Sequence, residues 1–435
     1  MNIIFISPNY PEGRWRYVHA LRGLGVNVLG IGDAVEENFP HGLQGCLTDY
    51  YRVDDLRNYD AVYRGVAFFA HKYGHPDGIE SLNDYWATLE ASLRRDFNVV
   101  GFDMDYALSV FNSDFVNEAV KSAGLKLIER DENNRPIIPS EAKIIKCCGF
   151  VNRYGKLSVL SSYEFSDLPE FISEKNELLS FFSIEPGELL MGKILKILDT
   201  VRVKGGFFNF TFALGKEISI VDYSFLPPEE YFADAIACSG SSDVCHIWAA
   251  DKVGMNMDCH KSPETTVYAT RRFDRSYRYS HDRIMSKLKQ SIRRYGRCYT
   301  GLDITGDYFY IFKADSAKKA RETIKFIQVD YSDNGPIAEF PALNTVRRNE
   351  LRQSAIREKS SYDARMLLSR KVEEKIQQGE AVKNESYEKN KGSAGTRSQK
   401  NAAKTSSKAS SKTNAKAPTK KKSTTKPQPE KATNK

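Results

Sequence analysis

The sequence predicts an α/β protein. A parallel sheet covered by helices forms the front, an α+β domain follows, and a disordered basic C-terminal tail ends the chain. Three observations carry this. Residues 1–110 alternate short apolar runs with helical patterns, the spacing of a parallel sheet helix-covered on both faces. Residues 142–225 contain two pairs of strand-like runs, each joined by a turn centred on glycine. Residues 391–435 contain no Val, Ile, Leu, Met, Phe, Tyr or Trp but hold 12 Lys, 1 Arg and 1 Glu. Such a stretch has no surface to bury against its chain entropy. Of the formal +8 on the 435 residues, this tail carries +12, so the first 390 residues carry −4.

The elements follow in order. Asn2–Ser7 is a buried-strand run ending at Pro8. Trp15–Leu24 has helical spacing and stops at Gly25. Val26–Ile31 and Tyr50–Val53 are strands, and 59–73 is an amphipathic helix closed by Gly74. Gly78–Glu80 begins a fourth strand, Tyr85–Phe97 is a helix, and Val99–Phe102 reads as a fifth strand. Asp114–Ala123 is a helix with Gly124 at its C-terminus, and 129–141, polar with two prolines, is a linker. Ile144–Val151 and Leu157–Phe165 form a hairpin, Leu189–Thr200 a helix, and Phe207–Leu214 with Glu217–Phe225 a second hairpin. Helices near 232–252, a strand at Val267–Thr270, a helix at Ile284–Arg294, a strand at Asp307–Lys313 and a helix at Ala317–Ile327 complete the body. The expected divisions are 1–110, a helix and linker at 111–141, 142–330, a projecting helical extension at 331–390, and the tail.

Several function classes drop out. No apolar run approaches the ~20 residues that span a bilayer, and the first residues lack a basic segment before a short apolar stretch. Seven cysteines, sparse and odd in number, suit a reducing cytoplasm. No repeat recurs at solenoid or propeller spacing. Gly23-Leu-Gly25 and Gly30-Ile-Gly32 do not complete a dinucleotide fingerprint, because Val28 and Val35 occupy the third glycine position. Cys245-His246 and Cys259-His260 lack zinc-ligand spacing, and Cys147 and Cys148 face opposite ways on a strand. His19, His41, His71 and His75 are scattered, without the spacing of a nucleophile and its base.

A set of ordered motifs bears a family likeness. Ile4-Phe-Ile-Ser-Pro-Asn9, Ala20-Leu-Arg22 and Gly25-Val-Asn-Val-Leu-Gly-Ile-Gly-Asp33 resemble the front domain of bacterial ATP-grasp proteins. These are the carboxylate–amine ligase-like relatives of the carbamoyl-phosphate synthase large subunit. Tyr50-Tyr-Arg-Val-Asp54, Glu80-Ser-Leu-Asn-Asp-Tyr-Trp86, Leu226-Pro-Pro228, Tyr268-Ala-Thr-Arg-Arg272 and Tyr277-Arg-Tyr-Ser-His281 extend the likeness over about residues 1–330. The resemblance implies a pre-ATP-grasp domain followed by an ATP-grasp domain. It also implies a chemistry in which ATP phosphorylates a carboxylate that an amine or thiol then attacks. Two Mg²⁺ ions would be held by carboxylates and an Asn, as hard oxygen ligands require.

Departures from the pattern fall on the expected metal positions. Thr211 stands where the family has a Glu. In Asp222-Tyr-Ser-Phe-Leu-Pro-Pro-Glu-Glu230, Asp222 replaces Glu, Ser224 replaces Asn, Leu226 replaces Arg, and Glu229 and Glu230 replace two glycines. Each new carboxylate near a phosphate would repel it by about 4 kcal/mol at 4 Å in an effective dielectric near 20. About 17 residues also stand where the family places a nucleotide-gripping lobe of roughly 60, so the ATP-grasp-like domain is expected to be truncated.

The leading expectation is therefore a catalytically degenerate relative with no confident cofactor. An ATP-dependent ligase using ATP and Mg²⁺ through a rearranged site is the alternative. Asp222, Thr211 and Ser224 are the candidate metal positions. Ser7, Asn9 and Arg14, just after the first strand, lie where α/β sheets bind ligands. Arg271, Arg272, Arg278 and His281 form a cationic, aromatic-interleaved run suited to a small carboxylate or phosphate. The same cleft could instead take a protein partner. The tail resembles linker-histone-like arms. Its Lys404, Lys408, Lys412, Lys416, Lys420, Lys421, Lys422 and Lys426 suit charge-driven contact with nucleic acid or another polyanion, which makes a tail-driven nucleic-acid-associated protein the second alternative. The sequence sets no oligomeric state.

Overall fold

The computed structural model describes residues 1–168, 172, 177–239, 243–255, 257, 264–298 and 306–330. The expected extension at 331–390, the tail with its lysines from Lys404 to Lys426, and the pair Cys259-His260 lie outside the described residues.

The front of the chain folds as β1 (Asn2–Ile6), α1 (Trp15–Gly23), β2 (Asn27–Gly32), β3 (Asp49–Arg52), α2 (Tyr59–Tyr73), β4 (Gly78–Glu80), α3 (Ala87–Asp96), α4 (Met104–Val110) and α5 (Ser113–Ser122). The four strands form a parallel sheet in the order β3-β2-β1-β4. Alternation along the strands divides the core. Ile4, Ile6, Leu29 and Ile31 pack with Val62, Val66 and Phe69 of α2, while Ile3, Phe5 and Val28 face Val18 and Leu21 of α1. Side-chain caps start the helices: Asn58 accepts from the Ala61 amide and Asn112 from those of Asp114 and Phe115.

The second sheet has nine strands. They are β5 (Lys126–Leu127), β6 (Lys143–Val151), β7 (Leu157–Phe165), β8 (Ser180–Ile184), β9 (Gly206–Leu214), β10 (Ile218–Ser224), β11 (Thr265–Arg271), β12 (Ile292–Arg297) and β13 (Tyr308–Ala314). Their order is β12-β13-β11-β8-β7-β6-β9-β10-β5. All neighbours are antiparallel except β5 and β10. Among the described residues the helices of this half include α6 (Glu188–Val201), α7 (Glu230–Cys238), α8 (Val244–Lys252), α9 (His281–Leu288) and α10 (Ala317–Gln328).

One face, with Ile145, Cys147, Phe208, Phe210 and Phe212, packs on α5 and α6. The other, with Cys148, Phe150, Tyr163 and Phe207, shares a cluster with α7, α8 and the α1 side of the front sheet. Cys147 and Cys148 thus fall on opposite faces. No described helix is long and apolar enough to cross a membrane.

Two expectations are corrected. Val99–Phe102 is not a strand. The Ile79 carbonyl of edge strand β4, which a fifth strand would have bonded, accepts from the Arg94 guanidinium, and Val100 is 93% exposed. The helix expected to run to Arg294 ends at Leu288, because Ile292–Arg297 pairs with β13 and tertiary pairing overrides the local pattern. Ahead of the expected linker at 129–141, the two-residue β5 adds in parallel to β10. Residues 123–142, between α5 and β6, otherwise hold a turn built on Asp131, whose carboxylate accepts from the Asn133 and Arg135 amides.

Candidate ligand cleft

The candidate site is built where β6, β9 and β10 lie side by side. Lys146 pairs in register with Thr211, and Thr211 with Asp222, so adjacent strands place the three side chains in one row. A β-bulge at Val221 sets Asp222 opposite Thr211. Two residues along, Asn209 stands opposite Ser224. Its amide donates to the Leu226 carbonyl at 2.6 Å, which pins the turn leading to Pro227, Pro228 and Glu229.

That turn delivers Glu229 to Lys146, with Nζ to Oε1 at 2.6 Å. The ammonium also lies 4.8 Å from the centre of the Phe232 ring on α7. The Lys146 side chain is 10% exposed and that of Glu229 41%, so this ion pair is sealed on one side and open on the other. Reduced solvation pushes the Asp222 carboxyl up, while Lys146 pulls it back down; the residue itself remains at an exposed edge.

The carboxyl ends of β1 and β4 border the same region. Ser7 and Leu82 both hold left-handed backbone, at φ 52° and 55°, which non-glycine residues adopt only under local constraint. The Ser7 amide donates to the Ile31 carbonyl at 2.8 Å, and Arg14, buried, donates to the Leu82 carbonyl at 3.0 Å. Gly13 touches Glu230: a Cβ there would sit 1.9 Å from Glu230 Oε1, so any larger residue would displace that carboxylate. Asn9 Oδ1, Asn209 Oδ1 and Glu229 Oε2 are buried acceptors without a hydrogen-bond donor.

The structure therefore brings Ser7, Asn9 and Arg14 onto a loop packed against the Glu229–Glu230 turn, and groups Thr211, Asp222 and Ser224 on one stretch of sheet. It does not bring the arginine run there. Arg271 ends β11, five strands from β10 and so about 24 Å across the sheet. Its guanidinium donates to the Ile327 and Tyr279 carbonyls at 2.6 and 2.8 Å, and Arg272 donates to the Glu177 carbonyl at 3.0 Å. Both residues are buried. Arg278 is exposed beside Tyr279, and His281 Nδ1 lies 2.9 Å from the Tyr310 hydroxyl.

Sequence reasoning missed Lys146 and Glu229 as partners, although a lone lysine inside the apolar run of β6 was the available signal. It also missed a buried charge network under β4. There Arg94 lies 3.2 Å from both Glu80 and Glu90, and Lys252 lies 2.6 Å from Glu80. These residues line a cavity of about 720 Å³. Burial pushes the Glu90 carboxyl up to about 7; Arg94 opposes the shift and Glu80 reinforces it.

No protein-family model and no curated protein sequence matches this chain. Solved structures do. The fold is that of the ATP-grasp carboxylate–amine ligases. The L-amino acid ligase from Bacillus licheniformis superposes with a TM-score of 0.52 at 10% identity, covering 74% of this chain and 96% of that one. The phosphoribosylglycinamide synthetase from Anaerococcus prevotii gives 0.53 at 11%, covering 78% and 99%. The N5-carboxyaminoimidazole synthetase from Staphylococcus aureus gives 0.51 at 9%, covering 74% and 96%. At such identities the ATP-grasp likeness is one of fold.

Proposed function

We propose that this ATP-grasp-like chain is a binding protein that does not turn over ATP, and that its cleft takes a small hydrogen-bond-donating molecule such as a primary amine. One observation carries the reading: the Lys146 ammonium, 2.6 Å from Glu229 and in register with Thr211 and Asp222, stands in the row where the resemblance would place Mg²⁺ ligands. The donors present are the Asp222 carboxylate, the Thr211 and Ser224 hydroxyls, and a Glu229 already paired with a cation. Among the described residues no group of three His, Cys, Asp or Glu side chains is arranged to hold a metal. This set does not fit a pair of Mg²⁺ ions, which need several hard oxygen ligands in near-octahedral geometry.

The charge balance also bears on the ligand. Asp222, Glu229 and Glu230 oppose the small carboxylate or phosphate that the arginine run suggested. The undonated Asn209 Oδ1 and Glu229 Oε2 favour a ligand that carries N–H groups, since each unsatisfied acceptor costs about 1–3 kcal/mol.

Isothermal titration tests the reading. ATP with Mg²⁺ should give no saturable heat, and a panel of primary amines should include at least one that raises Tm and loses its effect in Glu229→Gln. Micromolar ATP binding that requires Mg²⁺, or ADP release with any carboxylate and amine pair, would restore the ligase reading, with Asp222 and Glu229 or Glu230 on metal. The basic tail supports a separate role in holding a polyanion. Deleting 391–435 should lower retention on DNA at moderate salt.

A further inference from the structure

One strip of the body is charged unlike the rest. Residues 275–297 hold eight Lys and Arg against the single acid Asp282, whereas the remainder of residues 1–330 carries a net −12. The strip folds as α9 and β12, and β12 is an edge strand of the nine-stranded sheet among the described residues. Arg278, Arg283, Lys287, Lys289, Arg293 and Arg297 are exposed, and none of the six lies within 4 Å of a carboxylate among the described residues. Lys287 lies 3.9 Å from the Phe326 ring centre, and Arg293 donates to the Gln290 and Ile292 carbonyls.

A charged edge strand has an ordinary use, since lysines and arginines there discourage edge-to-edge pairing. Aromatic rings on the same face have no part in that. Tyr295, 49% exposed, sits on β12 between Arg293 and Arg297. His281, Tyr295 and Tyr308 gather with ring centres 5.5–6.4 Å apart, close enough to form one aromatic platform. Cations that track a phosphate backbone, with rings on which bases stack, are the two components of sequence-tolerant single-strand binding.

We propose that the α9–β12 face binds single-stranded nucleic acid, with Arg293 and Arg297 on phosphates and Tyr295 stacking on a base. This rests on neither the ligand cleft nor the tail. It predicts that the body contributes to nucleic-acid binding through a defined edge.

The test is fluorescence anisotropy of the full chain with a labelled 20-nucleotide oligo(U) and, in parallel, a duplex of equal length. Arg293→Glu with Arg297→Glu should weaken oligo(U) binding at least about tenfold and flatten its salt dependence. Tyr295→Ala should weaken oligo(U) about fivefold and leave the duplex unchanged. Lys156→Glu with Lys216→Glu, exposed positions elsewhere that change net charge equally, should stay within about twofold. The proposal is overturned if the arginine pair has no more effect than the lysine pair, which would assign binding to the tail or to overall charge. Equal loss of duplex and oligo(U) in Tyr295→Ala, or no loss in either, would reject the single-strand assignment. Circular dichroism of each variant separates lost binding from lost fold.

Discussion

Arg94 and Lys146 are both buried cations facing carboxylates, but their partners differ. Arg94 is 3% exposed and lies between Glu80 and Glu90, themselves 7% and 3% exposed, while the Lys252 side chain is 21% exposed. Lys146 meets Glu229, whose side chain is 41% exposed and whose second oxygen has no donor. Three buried charges that hold one another act as a brace: they fix α3 to β4 at the sheet edge. A pair open on one side can exchange a partner, as a ligand cleft requires. The burial of the partner separates the two, since both cations have opposite charge at hydrogen-bond distance.

Substitution gives the sharpest contrast. Arg94→Met should cost about 3–5 kcal/mol in denaturant unfolding, because it strands the buried Glu90 carboxyl and leaves Glu80 with Lys252 alone. Lys146→Met should cost about 1 kcal/mol, since Glu229 can turn to solvent. Equal losses would make the cleft a second brace.

Next in size is a pH effect of the buried network. The Glu90 pKa is raised in the folded state towards about 7, so the folded chain keeps a proton that the unfolded chain has lost. Stability should therefore fall as pH rises from about 4.5 to about 7 and level off above that. Glu90→Gln should remove about 2 kcal/mol of that slope, measured as unfolding midpoints at pH 5 and pH 8. A profile unchanged in Glu90→Gln would assign the slope to other groups. The smallest effect belongs to the exposed pair Arg57–Asp55, where Arg57→Ala should move stability by less than about 0.5 kcal/mol.

Much of the fold was legible because burial follows strand and helix period. The helix at 59–73 and the hairpin strands ending at Val151 and Phe165 stand where the pattern placed them. What was not legible depends on partners distant in sequence. Val99–Phe102 has strand composition, but the carbonyl it needed is held by a side chain from α3. Ile292–Arg297 looks helical until β13, arriving later in the chain, pairs with it. At the candidate site, Thr211, Asp222 and Ser224 could be singled out from the resemblance alone. Lys146 could not, because nothing local ties it to Glu229, 83 residues away. Arg271 and Arg272 show the converse: residue types suited to anions are here spent on main-chain carbonyls.

The two-residue strand β5 has a consequence for engineering. It anchors the chain on one side of β10 at Leu127, and the chain re-enters the sheet at Lys143 on β6, two strands beyond. The hand-over at residues 128–142 is thus tethered at both ends to the same rim, about 14 Å apart. A foreign domain whose termini lie at that separation could be spliced in there without disturbing either anchor, which makes this rim the natural insertion port of the molecule.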